Sequence, residues 1–214
     1  MNLSPRLHRL ACMPLLAWAC AAAPQVVADG PPCHQAEVRE ALERIQARLP
    51  EVRQLLQDVE AAKYQCRVVR KSSGSAVTDT RGDHVIIGWP GGAGRHADGS
   101  CKDADASLVH ELHHCWVRAK HGGEEPCAYV PTRTASGALV NARASCEFDA
   151  VRLENRYRKA IGLCERLAYD VLLVPGAERT CAEQEAVCRP STQCTAANPP
   201  AQIRSGSAYP VISR

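Results

Sequence analysis

The segment His110-Glu111-Leu112-His113-His114 limits what this chain can fold into more than any other part of it. Two histidines four residues apart stand one helical turn apart on one face, so both imidazoles can reach a single metal ion. Glu111 sits one step round from His110, where its carboxylate can take a proton from a water polarised by that ion without itself becoming a ligand. The pattern needs a helix under it, and the flanking residues predict one. Asp103 or Asp105 can cap a helix running through Lys120 to a stop at Gly122-Gly123. Leu108, Leu112 and Trp116 are available to bury its other side. His113 is also three residues from His110, but the four-residue spacing with Glu111 as base favours His114.

A catalytic zinc takes three protein ligands and keeps one position open. The extended form of the motif would place a glycine at 117 and a further histidine at 120. Val117 and Lys120 stand there instead, and His121 falls at the helix end. The third ligand is therefore expected from another helix, predicted over Ala138 to Ala160 with Gly162 just past its end. Glu147, in Cys146-Glu147-Phe148-Asp149-Ala150, is the first candidate, with small Ala150 permitting close approach of the motif helix. Glu154, one heptad on and on the same face, is the second. The ordinary fate of a helical glutamate is a solvated face, which is the competing reading for both.

Around this pair of helices the chain reads as one α+β domain. Apolar residues recur at helical spacing from about Gln35 to Lys63, with Pro50 dividing the run in two. Cys66 to Arg70 and the apolar segment His84 to Trp89 are predicted strands that can pair as a hairpin or small sheet. Pro90 to Ser100 and His121 to Gly137 read as loops, and Leu167 to Val174 as strand or short helix. With a single Phe among 214 residues, the core must rely on Leu, Val, Ile and Ala. A net charge of +3, with basic and acidic residues mixed along the chain, argues against a nucleic-acid partner.

Residues 1–28 read as an export signal: a basic start at Arg6 and Arg9, an apolar run over Leu10 to Ala23, and small residues suited to cleavage after Ala28. The run is short and broken by Pro14, so no stable membrane insertion is expected after cleavage. Ala17-Trp18-Ala19-Cys20 offers a second reading, lipidation at Cys20, weakened by the absence of Leu three residues before the cysteine. Setting aside Cys12 and Cys20, ten of the twelve cysteines remain, an even and widely spaced set without a CxxC pair. In an exported chain this implies disulfides rather than a zinc ribbon or redox motif. Cys115 follows His114 and Cys146 precedes Glu147, which suggests a Cys115–Cys146 bridge bracing the site. The expected organisation is a signal at 1–28, a catalytic domain at 29–175 and a cysteine-containing tail at 176–214.

The run Leu153-Glu154-Asn155-Arg156-Tyr157-Arg158, followed by Ile161-Gly162-Leu163 and then Arg166 and Tyr169, resembles the end of the NleD-like effector metallopeptidase family. There too an HExxH helix precedes a glutamate-containing segment, a Glu-Asn-x-x-Arg stretch, a Gly-Leu and an Arg-x-x-Tyr. The resemblance covers His110 to Tyr169. It implies a zincin-like metallopeptidase, mainly helical with a small sheet, with Glu147 or Glu154 completing the zinc site. The best-known members of that family lack cleavable signals and dense cysteines, so their intracellular targets do not carry over to this chain.

The expectation is thus an exported zinc metallopeptidase acting on a protein or peptide. His110, His114 and Glu147 hold Zn2+, and Glu111 is general base. Arg166 or Tyr169 is positioned after the ligand helix to stabilise an oxyanion. The alternatives are a disulfide-stapled exported protein that binds metal or a partner without catalysis, and a zinc amidase acting on cell-wall peptides.

Overall fold

The computed structural model describes residues 26–71, 75–89, 94–96 and 100–177. They form an α+β fold. Helices α1 (Pro32–Arg48) and α2 (Pro50–Glu60) meet at Leu49, and each opens with a proline at its first turn, where no amide hydrogen is required. Both turn one stripe inward, with Val38, Ala41 and Ile45 from α1 and Val52, Leu55, Leu56 and Val59 from α2 all buried.

Four strands make the main sheet: β1 (Val26–Asp29), β2 (Gln65–Arg70), β3 (Val77–Arg81) and β4 (His84–Trp89). Their order is β1-β2-β4-β3. β1, β2 and β4 run parallel, and β3 returns antiparallel along the outer side of β4 through a turn at Gly82. The two predicted strands therefore share a small sheet, but not as a hairpin. β4's hairpin partner is β3, whose polar alternation Val77-Thr78-Asp79-Thr80-Arg81 carries no apolar run to announce a strand.

Helix α3 (Ala104–Lys120) lies against the sheet. It is capped by Asp103, whose Oδ1 accepts from the Ala106 amide at 2.9 Å. The Trp89 indole at the end of β4 donates to the Ala104 carbonyl at 2.8 Å, tying the sheet to the first turn of α3. Val68, Ile87, Leu108 and Leu112 lie in the core that α1, α2, α3 and the sheet share. Helix α4 (Ser145–Ala160) packs along α3 and adds Leu153 and Tyr157 to that core. Phe148 and Val151 of α4 join Val174 in a smaller second cluster.

Helix α4 is shorter than its sequence suggests. Leu139–Arg143 is strand β8, paired antiparallel with β7 (Tyr129–Arg133) in the stretch expected to be loop. The alternation Leu139-Val140-Asn141-Ala142-Arg143 puts Val140 and Ala142 on the inner side, a period of two that a few apolar residues cannot distinguish from a helix. Two short antiparallel pairs complete the described chain: β5 (Gly94–Arg95) with β6 (Cys101–Lys102), and β9 (Ala168–Tyr169) with β10 (Leu172–Leu173) beyond α4.

The disulfides are Cys66–Cys115 and Cys127–Cys146, and Cys33 and Cys164 are disulfide-bonded as well. The expected Cys115–Cys146 pairing is wrong. Cys115 is fully buried on the side of α3 that faces the sheet, where β2 supplies Cys66, whereas Cys146 opens α4 beside the segment leading into β7. Adjacency to two residues of one site did not place the thiols together, because successive helical residues point about 100° apart.

Among the described residues no helix is long and apolar enough to cross a membrane. Of the expected signal, residues 1–25 and with them Cys20 lie outside the described residues, while Val26–Asp29 is β1, in register with Cys66–Val69. A cut after Ala28 would fall inside that strand. Cys181, Cys188 and Cys194 also lie outside the described residues.

Candidate metal centre

One face of α3 looks into a cleft of about 530 Å³, whose lining includes Thr78, His110, Glu111, His114, Glu147 and Tyr169. His110 and His114 are each 5% exposed. Their Nε2 atoms are 3.0 Å apart, and Glu147 Oε2 of α4 lies 3.3 Å from the first and 3.2 Å from the second. Three donors each 2.0–2.1 Å from a tetrahedral zinc would be separated by about 3.3 Å. The triangle therefore has nearly the size that such an ion requires, and these three side chains could hold a metal.

The far side of each imidazole supports the same reading. His114 Nδ1 makes a short hydrogen bond with Glu125, and Arg118 Nη2 lies 3.2 Å from the other oxygen of that carboxylate. His110 Nδ1 lies 3.3 Å from Glu154 Oε2, off the hydrogen-bonding angle. Arg166 Nη1 donates to the same oxygen at 3.1 Å, and Arg158 Nη1 stands 3.5 Å from the other one. With carboxylates beside both Nδ1 positions, an N–H at each Nδ1 would leave the Nε2 lone pairs facing Glu147. Three acceptors would then converge on one point, an arrangement that a cation satisfies.

The electrostatics agree. Burial opposes a charge on His114, yet its hydrogen bonds to Glu125 and Glu147 carry its pKa up to about 10. For His110, burial again opposes the charge, and Glu147 and Glu154 outweigh it. Burial alone would raise the carboxyls of Glu147 and Glu154, but the neighbouring imidazoles hold both well below the usual carboxylate range. The pocket stabilises positive charge at the point where the three donors meet.

Each sequence candidate has a definite place. Glu147 is the carboxylate that joins the two Nε2 atoms, while Glu154, only 1% exposed, stands behind His110. Glu111 faces the cleft, and the hydroxyl of Thr78 on β3 donates to its Oε2 at 2.6 Å. Tyr169 stacks on His110, with ring centroids 5.9 Å apart and planes within 6°. Burial and then the charge of Glu147 push its phenol pKa up. Arg166 lines the cleft beside Tyr169, with its guanidinium 5.3 Å from that ring, and donates to Glu154. His113 lies outside the triangle, 5.6 Å from the Trp116 ring; burial and the nearby charge of His114 lower its pKa to about 4.

The residues of the Glu-Asn-x-x-Arg and Arg-x-x-Tyr stretches form one buried network behind His110. Asn155 Nδ2 donates to the Arg166 carbonyl at 2.9 Å, and the Arg166 amide donates back to Asn155 Oδ1 at 2.6 Å. Arg166 Nε reaches the Ala168 carbonyl at 2.9 Å, and Arg158, fully buried, donates to the Cys164 carbonyl. This wiring fixes the segment that brings Tyr169 over His110.

Glu125 and Thr78 were not singled out from the sequence. Glu125 sits in a loop after α3 and Thr78 in a polar edge strand, and neither position carries a periodic signal. The pairing of Gly122-Gly123 with a nearby Cys127 was the one hint that this loop turns back and is pinned. No protein-family model matches this chain, and neither a curated protein nor a solved structure matches it significantly.

Proposed function

We propose that this protein is an exported zinc-dependent metallopeptidase of zincin-like architecture. The observation that carries the reading is the triangle of His110 Nε2, His114 Nε2 and Glu147 Oε2, with edges of 3.0 to 3.3 Å and Glu111 in the same cleft. The donor set, two imidazoles and a carboxylate with an open side toward the cleft, suits a catalytic zinc. When bound there, zinc supplies Lewis acidity that activates a water and polarises a carbonyl.

The chain's own residues do the rest. Glu111 takes the proton of the attacking water on its carboxylate and passes it to the nitrogen of the leaving amine. Thr78 Oγ1 occupies Oε2, which leaves Oε1 for that proton. The hydrogen bond from His114 Nδ1 to Glu125 holds that ring in the tautomer that presents Nε2, and the Glu154 carboxylate 3.3 Å from His110 Nδ1 favours the same tautomer there by its charge. Tyr169, held over His110, supplies a phenol hydrogen for the developing oxyanion, and Arg166 is a positioning residue acting through Glu154 and Tyr169.

A peptide substrate is favoured by β3. Among the described residues its outer edge pairs with no other strand, and Val77 and Thr78 line the cleft. An extended chain laid there can hydrogen-bond to the free edge. Export is supported by the disulfides, which form in oxidising compartments, and by the signal-like start of the chain. The resemblance of His110 to Tyr169 to the NleD-like metallopeptidases points to the same chemistry, and the residues that carry it include those wired behind His110.

The test is zinc content and hydrolysis of casein-type proteins, with cell-wall fragments assayed alongside, for the natural chain and Glu111→Gln. The expected result is zinc in both and protein hydrolysis in the natural chain alone. Zinc without hydrolysis in either form would make the protein a metal-binding module, and cleavage confined to wall fragments would make it an amidase.

A further inference from the structure

Glu125 reaches His114 from residues 121–128, a loop without regular secondary structure. At its start the Gly122 carbonyl accepts from the Tyr64 hydroxyl, and the Gly123 carbonyl accepts from Thr80 Oγ1 at 2.8 Å. Gly123 has φ +91° and a Cβ there would stand 3.0 Å from both Tyr64 and Thr80, so this turn depends on glycine. At its end the Ala128 amide donates to Ser145 Oγ at 2.7 Å, and Cys127 is bonded to Cys146 in the first turn of α4. A Glu125 carboxylate oxygen and both disulfide sulfurs lie within 4.8 Å of one another. The residue after Cys146 is Glu147. A single covalent bond therefore joins the segment carrying the carboxylate behind His114 to the turn carrying the carboxylate in front of it.

We propose that Glu125 is a positioning residue for His114 and that the Cys127–Cys146 disulfide sets it, so that oxidation of this cysteine pair strengthens metal binding by His110, His114 and Glu147. The proposal rests on the metal-centre reading above. Oxidation proceeds by thiol–disulfide exchange with a disulfide-bearing oxidant. The thiolate of one cysteine attacks the oxidant and forms a mixed disulfide. The thiolate of the other then displaces the oxidant's remaining sulfur, closing the protein S–S bond and leaving the oxidant as a dithiol with two more electrons. Without that bond, Glu125 is held by the loop's hydrogen bonds and its ion pair with Arg118, and the His114 ring loses part of its fixed orientation. The chain then binds zinc weakly under reducing conditions and tightly where disulfides form. The Cys66–Cys115 bond runs to the opposite, sheet-facing side of α3 and has no such route to Nδ1.

The experiment measures the zinc dissociation constant of the full chain by competition with a chromophoric chelator, and the cobalt(II) absorption spectrum. The variants are Glu125→Gln, Glu125→Asp, the pair Cys127→Ser with Cys146→Ser, and those two combined with Glu125→Gln. Loss of an orienting carboxylate typically weakens metal binding about 10–100-fold. Glu125→Gln and the cysteine pair should each weaken zinc by that factor and alter the cobalt spectrum, the triple variant should be no weaker than Glu125→Gln, and Glu125→Asp should recover part of the loss. As a check independent of the serine variants' folding, reduction by a phosphine should weaken zinc binding by the natural chain and leave Glu125→Gln unchanged. Natural-like affinity in the cysteine pair, or additive losses in the triple variant, would overturn the proposal while leaving the metal centre intact. A natural chain that binds no zinc in its oxidised form would remove the metal centre itself.

Discussion

The Thr78 hydroxyl donates to Glu111 Oε2 at 2.6 Å, so the edge strand of the sheet holds the carboxylate that the motif helix presents to the cleft. That contact joins two residues 33 positions apart in the chain and gives β3 a part in the site that its polar sequence does not advertise.

Replacing Thr78 by valine keeps the shape of the residue and removes the donor. General-base catalysis contributes about 10²–10⁴-fold, and loss of the orienting hydrogen bond should forfeit about tenfold of it in kcat. Zinc stoichiometry should stay at the natural level. Steady-state kinetics beside metal analysis separates the two; an unchanged kcat would show that Glu111 needs no help from β3.

Glu147 and Glu154 should respond differently to substitution. Glu147 is 28% exposed and Glu154 is 1% exposed, the latter between the buried guanidiniums of Arg158 and Arg166. Glu147→Gln should lose most zinc affinity with a small change in stability. Glu154→Gln should destabilise the fold by about 3–5 kcal/mol, because it removes the carboxylate charge that Arg166 and Arg158 share in the interior. Denaturant titration and zinc analysis of both variants provide the measurement. A Glu154→Gln protein as stable as the natural one would contradict the role of Glu154 as the counter-charge.

Acid sensitivity should trace in part to His34. Burial lowers its pKa, which the hydrogen-bonding contact with the Val68 carbonyl, at 3.3 Å, only partly offsets; Glu37 raises it and Arg70 lowers it further. An imidazole whose native pKa lies below its unfolded value of about 6.5 leaves the unfolded chain holding more protons as pH falls. Its contribution is fully present above pH 6.5 and is lost as pH drops from there through the lowered native pKa. His34→Gln should flatten this limb of the stability curve. Measuring unfolding free energy from pH 8 to pH 4 in both proteins tests it, and identical slopes would exclude His34.

The Cys66–Cys115 bond should matter for stability rather than for the metal. It spans 49 residues and ties β2 to α3 through the core. Replacing both cysteines by alanine should cost about 2–5 kcal/mol. The zinc stoichiometry of the folded protein should not change. Chemical denaturation followed by metal analysis checks both halves, and a loss of zinc from folded protein would count against the separation of roles.

Much of the site was legible along the chain. His110, Glu111 and His114 share a face because helical geometry converts a spacing of four into proximity, and Asp103 and Gly122-Gly123 mark where that helix starts and stops. Glu147 could be named because a helical carboxylate near small Ala150 can face a neighbouring helix, although with α4 starting at Ser145 it stands in the first turn and not in the middle. The boundary of α4 was less legible, since Leu139 to Arg143 fits both periods and pairing with β7 decides between them.

What the sequence by itself determined is local: the helix of the motif, the pair of imidazoles on it, and the candidates for a third donor. Tertiary structure decided which carboxylate meets the two Nε2 atoms and which stand behind the rings. It also decided that Thr78 reaches Glu111, and that Cys115 bonds to Cys66 rather than Cys146. The physical reason is range. Backbone geometry fixes the direction of side chains a few residues apart, whereas Glu125, Glu154 and Thr78 arrive from a loop, a second helix and a sheet edge, whose positions follow from how the whole core packs.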